Sequence, residues 1–373
     1  MSHHEGRHDR IHVHEVKRQA AGSAVRQTGG EDDAPGRRRS PRSGDRVPLH
    51  GAWLSLIALV IVFSSAANAA TFLVSKTADT NDGTCDADCS LREAVIAANT
   101  AAGADTIVVP TGTFLLTIPD ADEDFAANGD LDIRDELALN GLGTATTFVN
   151  GANSTRAFHL LTNAPVSIRD LAIHNARTSG FGAAIHHAGT GALTLSNLVV
   201  TGNVAGGFGG GINNHSSGSI TIQSSTISNN ATQSSSFGGG INNNWTGSIS
   251  IADSAVSDNL AGGWGGGINN NWAGSISVVS SDVSNNAAAG WAGGINNNDL
   301  GTLTALNSTV SNNSSQGWGG GINNNDRGPV AITLTTISGN SADNGGGINN
   351  GNAGALTLDR SAVAGNAATD TSG

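Results

Sequence analysis

One hydrophobic position recurs along the second half of the chain at a nearly constant interval. Ile185, Ile212, Ile241, Ile268, Ile295, Ile322 and Ile348 are separated by 27, 29, 27, 27, 27 and 26 residues. From Ile212 onward each isoleucine follows at least two glycines and precedes Asn-Asn. A fixed period of this length is typical of a solenoid, in which successive coils of chain stack on one another.

Further apolar positions within each repeat predict strands. A pair lies eight and ten residues after the isoleucine, as in Ile220 with Ile222, and alternates with Ser or Thr. A third lies at offset fifteen, as in Ile227. The remaining Gly, Ser, Asn and Ala show no helical periodicity, which argues against a leucine-rich repeat. The pattern predicts an all-β, single-stranded parallel β-helix with three sheets and about 27 residues per coil.

An asparagine follows every one of these isoleucines at an offset of eighteen residues. Stacked copies of one amide can hydrogen-bond to each other along a solenoid. A buried amide without a partner would cost about 1–3 kcal/mol, so we expect a ladder with a structural role. Its members are Asn203, Asn230, Asn259, Asn286, Asn313, Asn340 and Asn366.

The first 69 residues differ from the repeats and predict export. Residues 1–50 hold ten of the eighteen Lys and Arg and six of the eleven His, and we interpret them as a disordered basic leader. A start near Val47 would remove this leader. Residues 51–69 contain a largely apolar run and the small-residue site Ala67-Asn68-Ala69. This is the pattern of a signal peptide, too short to span a bilayer, so we expect a secreted or cell-surface protein that is not transmembrane after cleavage.

The only two cysteines are Cys85 and Cys89. An even count in an oxidising compartment favours a disulfide. Ser90 and Glu93 form a capping box, which predicts a short helix from Leu91 to Asn99.

The hexapeptide Cys-Ser-Leu-Arg-Glu-Ala at residues 89–94 is similar to the signature of the CSLREA domain family, and the resemblance covers roughly residues 71–115. It implies an N-terminal cap that introduces β-helical repeats on secreted bacterial surface proteins. The Gly-Gly-Gly-Ile-Asn-Asn repeats resemble right-handed pectin-lyase-like and polymorphic outer-membrane-type β-helices, which implies the handedness. We therefore divide the exported chain into a cap (70–115), irregular first coils (116–180) and regular coils (181–373). Only seven residues follow Asn366, so we expect a further segment or another chain to cover that end.

One column of positions, four residues after the isoleucines, changes character along the solenoid. Trp245 and Trp272 give way there to Asp299 and Asp326. Stacked coils would place the two carboxylates about 5 Å apart, near the separation used by retaining glycosidases. Exposed aspartates are common, however, and stacking brings any two together. We therefore assign no catalytic residue, keep the two aspartates as an alternative, and take both tryptophans and Arg327 as candidate glycan-binding residues.

Two other columns of equivalent positions, one aromatic and one of Ser and Thr, recur along the repeats. Aromatic residues lie four positions before the isoleucines, and we favour a stabilising ring stack over an exposed binding strip. Outward Ser and Thr pairs, such as Ser219 with Thr221, resemble the hydroxyl rows of ice-binding solenoids, although ordinary solvent-facing positions explain them better. The aromatic column consists of Phe181, Phe208, Phe237, Trp264, Trp291 and Trp318.

The charge balance limits cofactors and partners. A net charge of −12 argues against nucleic-acid binding. Two acidic clusters could hold calcium, but their spacing fits no standard loop, so we expect neither a metal nor another cofactor. The clusters are Asp79, Asn81, Asp82, Asp86 and Asp88, and Asp120, Asp122, Glu123, Asp124, Asp130 and Asp132.

These patterns favour a non-catalytic adhesin, or an extracellular structural or glycan-binding protein, whose partners are extracellular glycans or cell surfaces. The first alternative is a polysaccharide-active enzyme, a glycoside hydrolase or lyase, on the same fold. Beyond residue 200 the only Lys or Arg residues are Arg327 and Arg360, which leaves little for lyase chemistry. The second alternative is an ice-binding solenoid.

Overall fold

The chain winds into stacked coils of short parallel strands, as the computed structural model of residues 68–119, 123–352 and 354–369 describes. These strands form three sheets and are accompanied by one short helix, which confirms the predicted fold class. The predicted leader (1–50) and signal peptide (51–69) lie outside the described residues, apart from Asn68 and Ala69. Within the described part of the chain, no helix is long and apolar enough to cross a membrane.

Sheet 1 is the largest and has nineteen strands. In these strands buried Ile, Leu and Val alternate with Ser, Thr and other exposed or half-buried residues, as in Ser219–Gln223. The strands are Thr71–Leu73, Asp105–Val108, Gly112–Leu115, Leu137–Asn140, Thr147–Asn150, Val166–His174, Leu193–Thr201, Ser219–Gln223, Thr226–Ser228, Ser248–Ala252, Ala255–Ser257, Ser275–Val279, Asp282–Ser284, Thr302–Leu306, Thr309–Ser311, Val330–Thr333, Thr336–Ser338, Leu356–Asp359 and Ala362–Ala364.

Sheet 2 has nine strands and contains the isoleucine of every repeat. Each strand is three residues long. The strands are Leu131–Ile133, Phe158–Leu160, Ile185–His187, Ile212–Asn214, Ile241–Asn243, Ile268–Asn270, Ile295–Asn297, Ile322–Asn324 and Ile348–Asn350.

Sheet 3 has eight strands of two to four residues, each beginning directly after the position of the predicted asparagine ladder or its equivalent. The strands are Arg177–Thr178, Val204–Ala205, Ala231–Ser234, Leu260–Gly262, Ala287–Ala288, Ser314–Ser315, Ser341–Ala342 and Ala367–Ala368.

The strands of one coil differ in one respect from the sequence expectation. The apolar positions at offsets eight to ten and at offset fifteen both fall in sheet 1, as in Ser219–Gln223 and Thr226–Ser228. The third sheet is built instead from short Ala- and Ser-rich strands, which have too few apolar residues to show an alternating pattern.

Residues at the same position of successive repeats lie above one another in the structure. Ile185 pairs with Ile212, and Ile212 with Ile241, across sheet 2. These isoleucines are completely buried and belong to one hydrophobic cluster with the apolar residues of sheet 1. The glycines before them allow the coils to approach, because a Cβ on Gly240 would lie only 2.7 Å from the carbonyl oxygen of Gly267.

The hexapeptide at residues 89–94 builds the start of the only helix in the described part of the chain, Leu91–Ala98. Ser90 Oγ accepts from Glu93 N, and Glu93 Oε2 accepts from Ser90 N, which confirms the capping box. Asn99 is the C-cap, so the helix ends one residue earlier than expected. Cys85 and Cys89 form the expected disulfide.

Arg92 is fully buried and connects the helix to the first coils. Its Nε and Nη2 lie 2.7 and 3.1 Å from the two carboxylate oxygens of Asp79. It also donates to the carbonyl oxygens of Ala126 and Gly129. Asp79 in turn accepts from the backbone N of Ile118. This bidentate, charge-assisted pair fixes the helical segment against the first coils.

Candidate functional site

The predicted asparagine ladder exists, and every member that was expected takes part. Each side-chain Nδ2 from Asn203 to Asn340 donates to Oδ1 of the ladder asparagine on the next coil, at 2.8–3.0 Å. Each of these amides also donates to a backbone carbonyl, such as Asn286 to Val256 O. The ladder therefore satisfies buried polar groups at a turn, which is a structural role.

Three further amide ladders, which were not predicted from the sequence, occur beside sheet 2. They consist of the asparagines one, two and three positions after the isoleucines, and we call them the +1, +2 and +3 ladders. In the +1 ladder each amide donates towards the preceding coil, as from Asn242 to Asn213 at 2.7 Å. In the +2 ladder each donates towards the following coil, as from Asn214 to Asn243 at 2.9 Å. The recurring Asn-Asn after each isoleucine was the signal for them.

Each of these three ladders begins at a histidine. Asn213 Nδ2 lies 3.1 Å from Nδ1 of His186, and Asn214 Oδ1 lies 3.0 Å from Nδ1 of His187. The +3 ladder begins at His215. Burial above all, together with the nearby positive charges, Arg156 first among them, lowers the pKa of His186 to about 2. Burial also lowers the pKa values of the other two imidazoles.

The aromatic column forms one continuous stack. Successive ring centroids from Phe181 to Trp318 are 4.4–5.3 Å apart, and the interplanar angles are 5–28°. Glycines of the following coil face the rings, because a Cβ on Gly290 would lie 2.7 Å from Cδ1 of Trp264. The stack thus packs on backbone, as a stabilising structure would. Its last ring, Trp318, is 41% exposed.

Trp245 and Trp272 form a second, separate pair of stacked indoles. Their centroids are 5.6 Å apart at an interplanar angle of 11°, and they are 47% and 53% exposed. Trp245 also meets the ring of His215 edge-on and donates to its Nε2 at 3.3 Å. Among the rings that the structure describes, Trp272 contacts Trp245 alone. Contiguous exposed apolar groups of this kind are candidates for a binding surface.

The next two positions of the same column are Asp299 and Asp326. Pairing of sheet 2 places them on the two coils after Trp272, in register with it. Both aspartates are half-buried, and Arg327 is exposed. Because a small carboxylate follows the last indole, the outer face of Trp272 has no ring against it. We call Trp245, Trp272, Asp299 and Asp326 the tryptophan ledge.

The Ser and Thr rows also stack in register. Thr221 pairs with Ser250, Ser250 with Ser277, and Ser277 with Thr304 across sheet 1. The next position is Ala331, so the hydroxyl row is interrupted there.

Part of one acidic cluster surrounds a cleft of about 250 Å³ in the first coils. Glu123, Asp124, Asp130, Arg156 and His159 line this cleft together with His186 and a short segment of sheet 3 and its turn. Three side chains each have one potential metal-ligand atom, and these three atoms lie within 4.8 Å of one another. These side chains are Asp124, Asp132 and His159. Asp120 and Asp122 lie outside the described residues.

Comparisons with known proteins do not identify an activity for this chain. No family model matches the sequence, and no curated protein matches it. One similar solved structure is pectate lyase Pel9A, with a TM-score of 0.43 and 13% identity over 79% of each chain. Another is the A-module of the Azotobacter vinelandii mannuronan C-5 epimerase AlgE6, with a TM-score of 0.29 and 16% identity over 79% of this chain and 99% of that one. These scores are too low to transfer an activity to this chain.

Proposed function

We propose that this protein is an exported, non-catalytic β-helix that binds neutral extracellular glycans at the tryptophan ledge. The signal-peptide pattern of residues 51–69 and the disulfide support export. The resemblance of residues 71–115 to CSLREA domains supports a cap that introduces the repeats of a bacterial cell-surface protein.

The observation that carries the binding role is the half-exposed indole of Trp272, which among the described rings contacts Trp245 alone. A sugar ring has an apolar C–H face that packs on an aromatic ring and hydroxyl groups that need polar partners. The indole is half-exposed, and Asp299 follows it on the next coil. Partly exposed amides of the +3 ladder, such as Asn271 and Asn298, adjoin the same column. The ledge therefore combines the two kinds of contact that a glycan requires.

The charge of the ledge selects among glycans. The carboxylates of Asp299 and Asp326 can accept hydrogen bonds from sugar hydroxyls, and the whole chain carries a net charge of −12. A polyanionic glycan would be repelled by these charges. Neutral polysaccharides therefore fit the surface best.

The test is a glycan array that contains neutral and acidic polysaccharides, followed by titration of the strongest neutral binder. Trp272→Ala is expected to weaken binding at least about tenfold, as for an aromatic residue at the centre of an interface. The matched control is Trp318→Ala, which removes an exposed indole from the aromatic column and is expected to bind like the wild type. Absence of glycan binding, or equal binding by Trp272→Ala, would overturn the proposal.

The same panel also tests the enzymatic alternative. Incubation of each polysaccharide with the wild type and with Asp299→Asn, followed by detection of new reducing or unsaturated ends, measures cleavage. We expect none. Cleavage by the wild type that Asp299→Asn abolishes would replace a binding protein with a polysaccharide-active enzyme.

A further inference from the structure

The acidic cleft of the first coils has a feature that the tryptophan ledge lacks, namely a buried carboxylate oxygen without a hydrogen bond. Asp132 is completely buried. Its Oδ2 accepts from the backbone N of Ala126 at 2.7 Å. Its Oδ1 is 3.2 Å from Nδ1 of His159, but this contact lacks hydrogen-bond geometry, and Oδ1 has no hydrogen-bond partner among the described residues. A buried carboxylate oxygen in this state requires an explanation.

The same imidazole nitrogen faces a second carboxylate. Oδ1 of Asp124 lies 3.6 Å from His159 Nδ1. A neutral or protonated imidazole carries at most one hydrogen on this nitrogen. It therefore cannot satisfy both carboxylates well.

Other carboxylates of the cleft are already engaged. Glu123 accepts from the backbone N of Phe125 and of Asn128. Asp130 is paired with Arg156 at 2.6 Å. The positive charge of the arginine is thereby directed at Asp130, whereas Asp124 and Asp132 converge on His159.

We propose that Asp124, Asp132 and His159 bind a first-row divalent transition-metal ion, with Zn²⁺ as its probe. Ligand bonds of about 2.1 Å in a tetrahedral site place ligand atoms about 3.4 Å apart. The distances of 3.2 and 3.6 Å from His159 Nδ1 bracket that value. An imidazole ligand suits zinc and its neighbours, whereas calcium prefers oxygen ligands alone.

The surroundings support a cation at this place. Three carboxylates, those of Glu123, Asp124 and Asp130, line the cleft together with the guanidinium of Arg156, and the carboxylate of Asp132 lies within 4.8 Å of the ligand atoms of Asp124 and His159. The backbone bond from Ala126 orients the carboxylate of Asp132, as second-layer hydrogen bonds do for metal ligands. Three protein ligands leave one tetrahedral position, which the cleft of about 250 Å³ gives to water or to a small ligand. This proposal does not depend on glycan binding.

The experiment compares zinc bound by variants of the full chain after dialysis against buffered Zn²⁺, together with the shift of the melting temperature that zinc causes. The leader is rich in histidine, whose imidazole is a zinc ligand, so the readout is the difference between variants that share this leader. His159→Gln and Asp124→Asn are expected to bind one zinc ion fewer per chain and to lose the thermal shift. Asp124 is 64% exposed at its side chain, so its replacement leaves the fold intact.

The matched controls are His174→Gln and Asp135→Asn, which lie outside the cluster. They are expected to bind zinc like the wild type. Equal zinc content in wild type and His159→Gln would overturn the proposal. Preferential binding of Ca²⁺ over Zn²⁺ at this site would overturn the assigned class of metal.

Discussion

Between Arg92 and His187 the buried polar side chains include Arg, Glu, Asp and His, whereas from Asn203 onward the buried polar residues that the structure describes are Asn, Ser and Thr. The start of the solenoid thus buries charged and ionisable side chains, whereas the regular coils bury amides and hydroxyls. An amide donates and accepts, so it can stack on copies of itself without limit. A charged side chain cannot, because its copy on the next coil would repel it.

This difference gives a physical reason why the side chains of the first coils do not repeat from one coil to the next. A buried charge needs a partner of opposite charge, as Arg92 has in Asp79. Each such pair requires a local backbone conformation that brings its two side chains together. The change from one kind of buried polar side chain to the other occurs at His186, which pairs with His159 on one side and with Asn213 on the other. The candidate metal ligands therefore lie in the first coils of the solenoid, whereas the regular coils present a surface that repeats from coil to coil.

The largest expected effect comes from the buried ion pair at the start. Arg92→Ala leaves the carboxylate of Asp79 buried without its partner, which costs about 3–5 kcal/mol of unfolding free energy. Chemical denaturation measures this loss. Arg360→Ala is the control, because its pair with Asp359 is exposed and contributes about 0–1 kcal/mol. Equal losses in both variants would show that the start does not depend on buried charge.

The regular coils should respond somewhat less to the loss of one amide. Asn286→Ala removes four hydrogen bonds, with the backbone N and side chain of Asn259, with Asn313 and with Val256 O. Because several buried groups lose their partner, we expect a loss of about 3 kcal/mol.

The control in the same coil is Asn285→Gly. Asn285 is exposed with φ of 56°, and Gly339 occupies the same column, so this change should be nearly neutral. If Asn286→Ala melted like Asn285→Gly, the ladder would contribute nothing to stability.

The smallest of these effects depends on pH and concerns the junction of the two regions. The pKa of His186 is lowered to about 2 in the folded protein, from an ordinary value near 6.5. Its contribution to stability is therefore complete above the unfolded pKa and is lost as the pH falls towards the folded one. At pH 5 this loss amounts to about 2 kcal/mol.

His186→Asn is expected to remove that part of the acid sensitivity, because an asparagine continues the +1 ladder without a titrating group. Melting temperatures of the wild type and the variant at pH 7 and pH 5 measure the difference. A variant that loses as much stability as the wild type between these pH values would contradict the buried, neutral state of this imidazole.

Much of the fold could be predicted from the sequence because the same side chains recur at the same positions in successive repeats. The spacing of the isoleucines and of Asn203 to Asn366 fixes the register, and a capping box is local enough to identify the helix. Sheet 3 could not be predicted, because its strands, such as Ala287–Ala288, are short and carry no alternating pattern.

The candidate sites were only partly predictable. The tryptophans share one offset, so their stacking followed from the period. The approach of Asp124, Asp132 and His159 depends on one irregular loop, which places Asp124 beside a strand that lies 35 residues further along the chain. No spacing rule in the sequence could indicate that contact.

The measurement that tests the proposed function most directly is protection of individual tryptophans from oxidation by a bound glycan. With a saturating neutral oligosaccharide from the array, mass spectrometry of the oxidised chain should show Trp272 protected and Trp318 oxidised as before. Oxidation of Trp272 at an unchanged rate, while the glycan is bound, would contradict the assignment of the tryptophan ledge as the binding site.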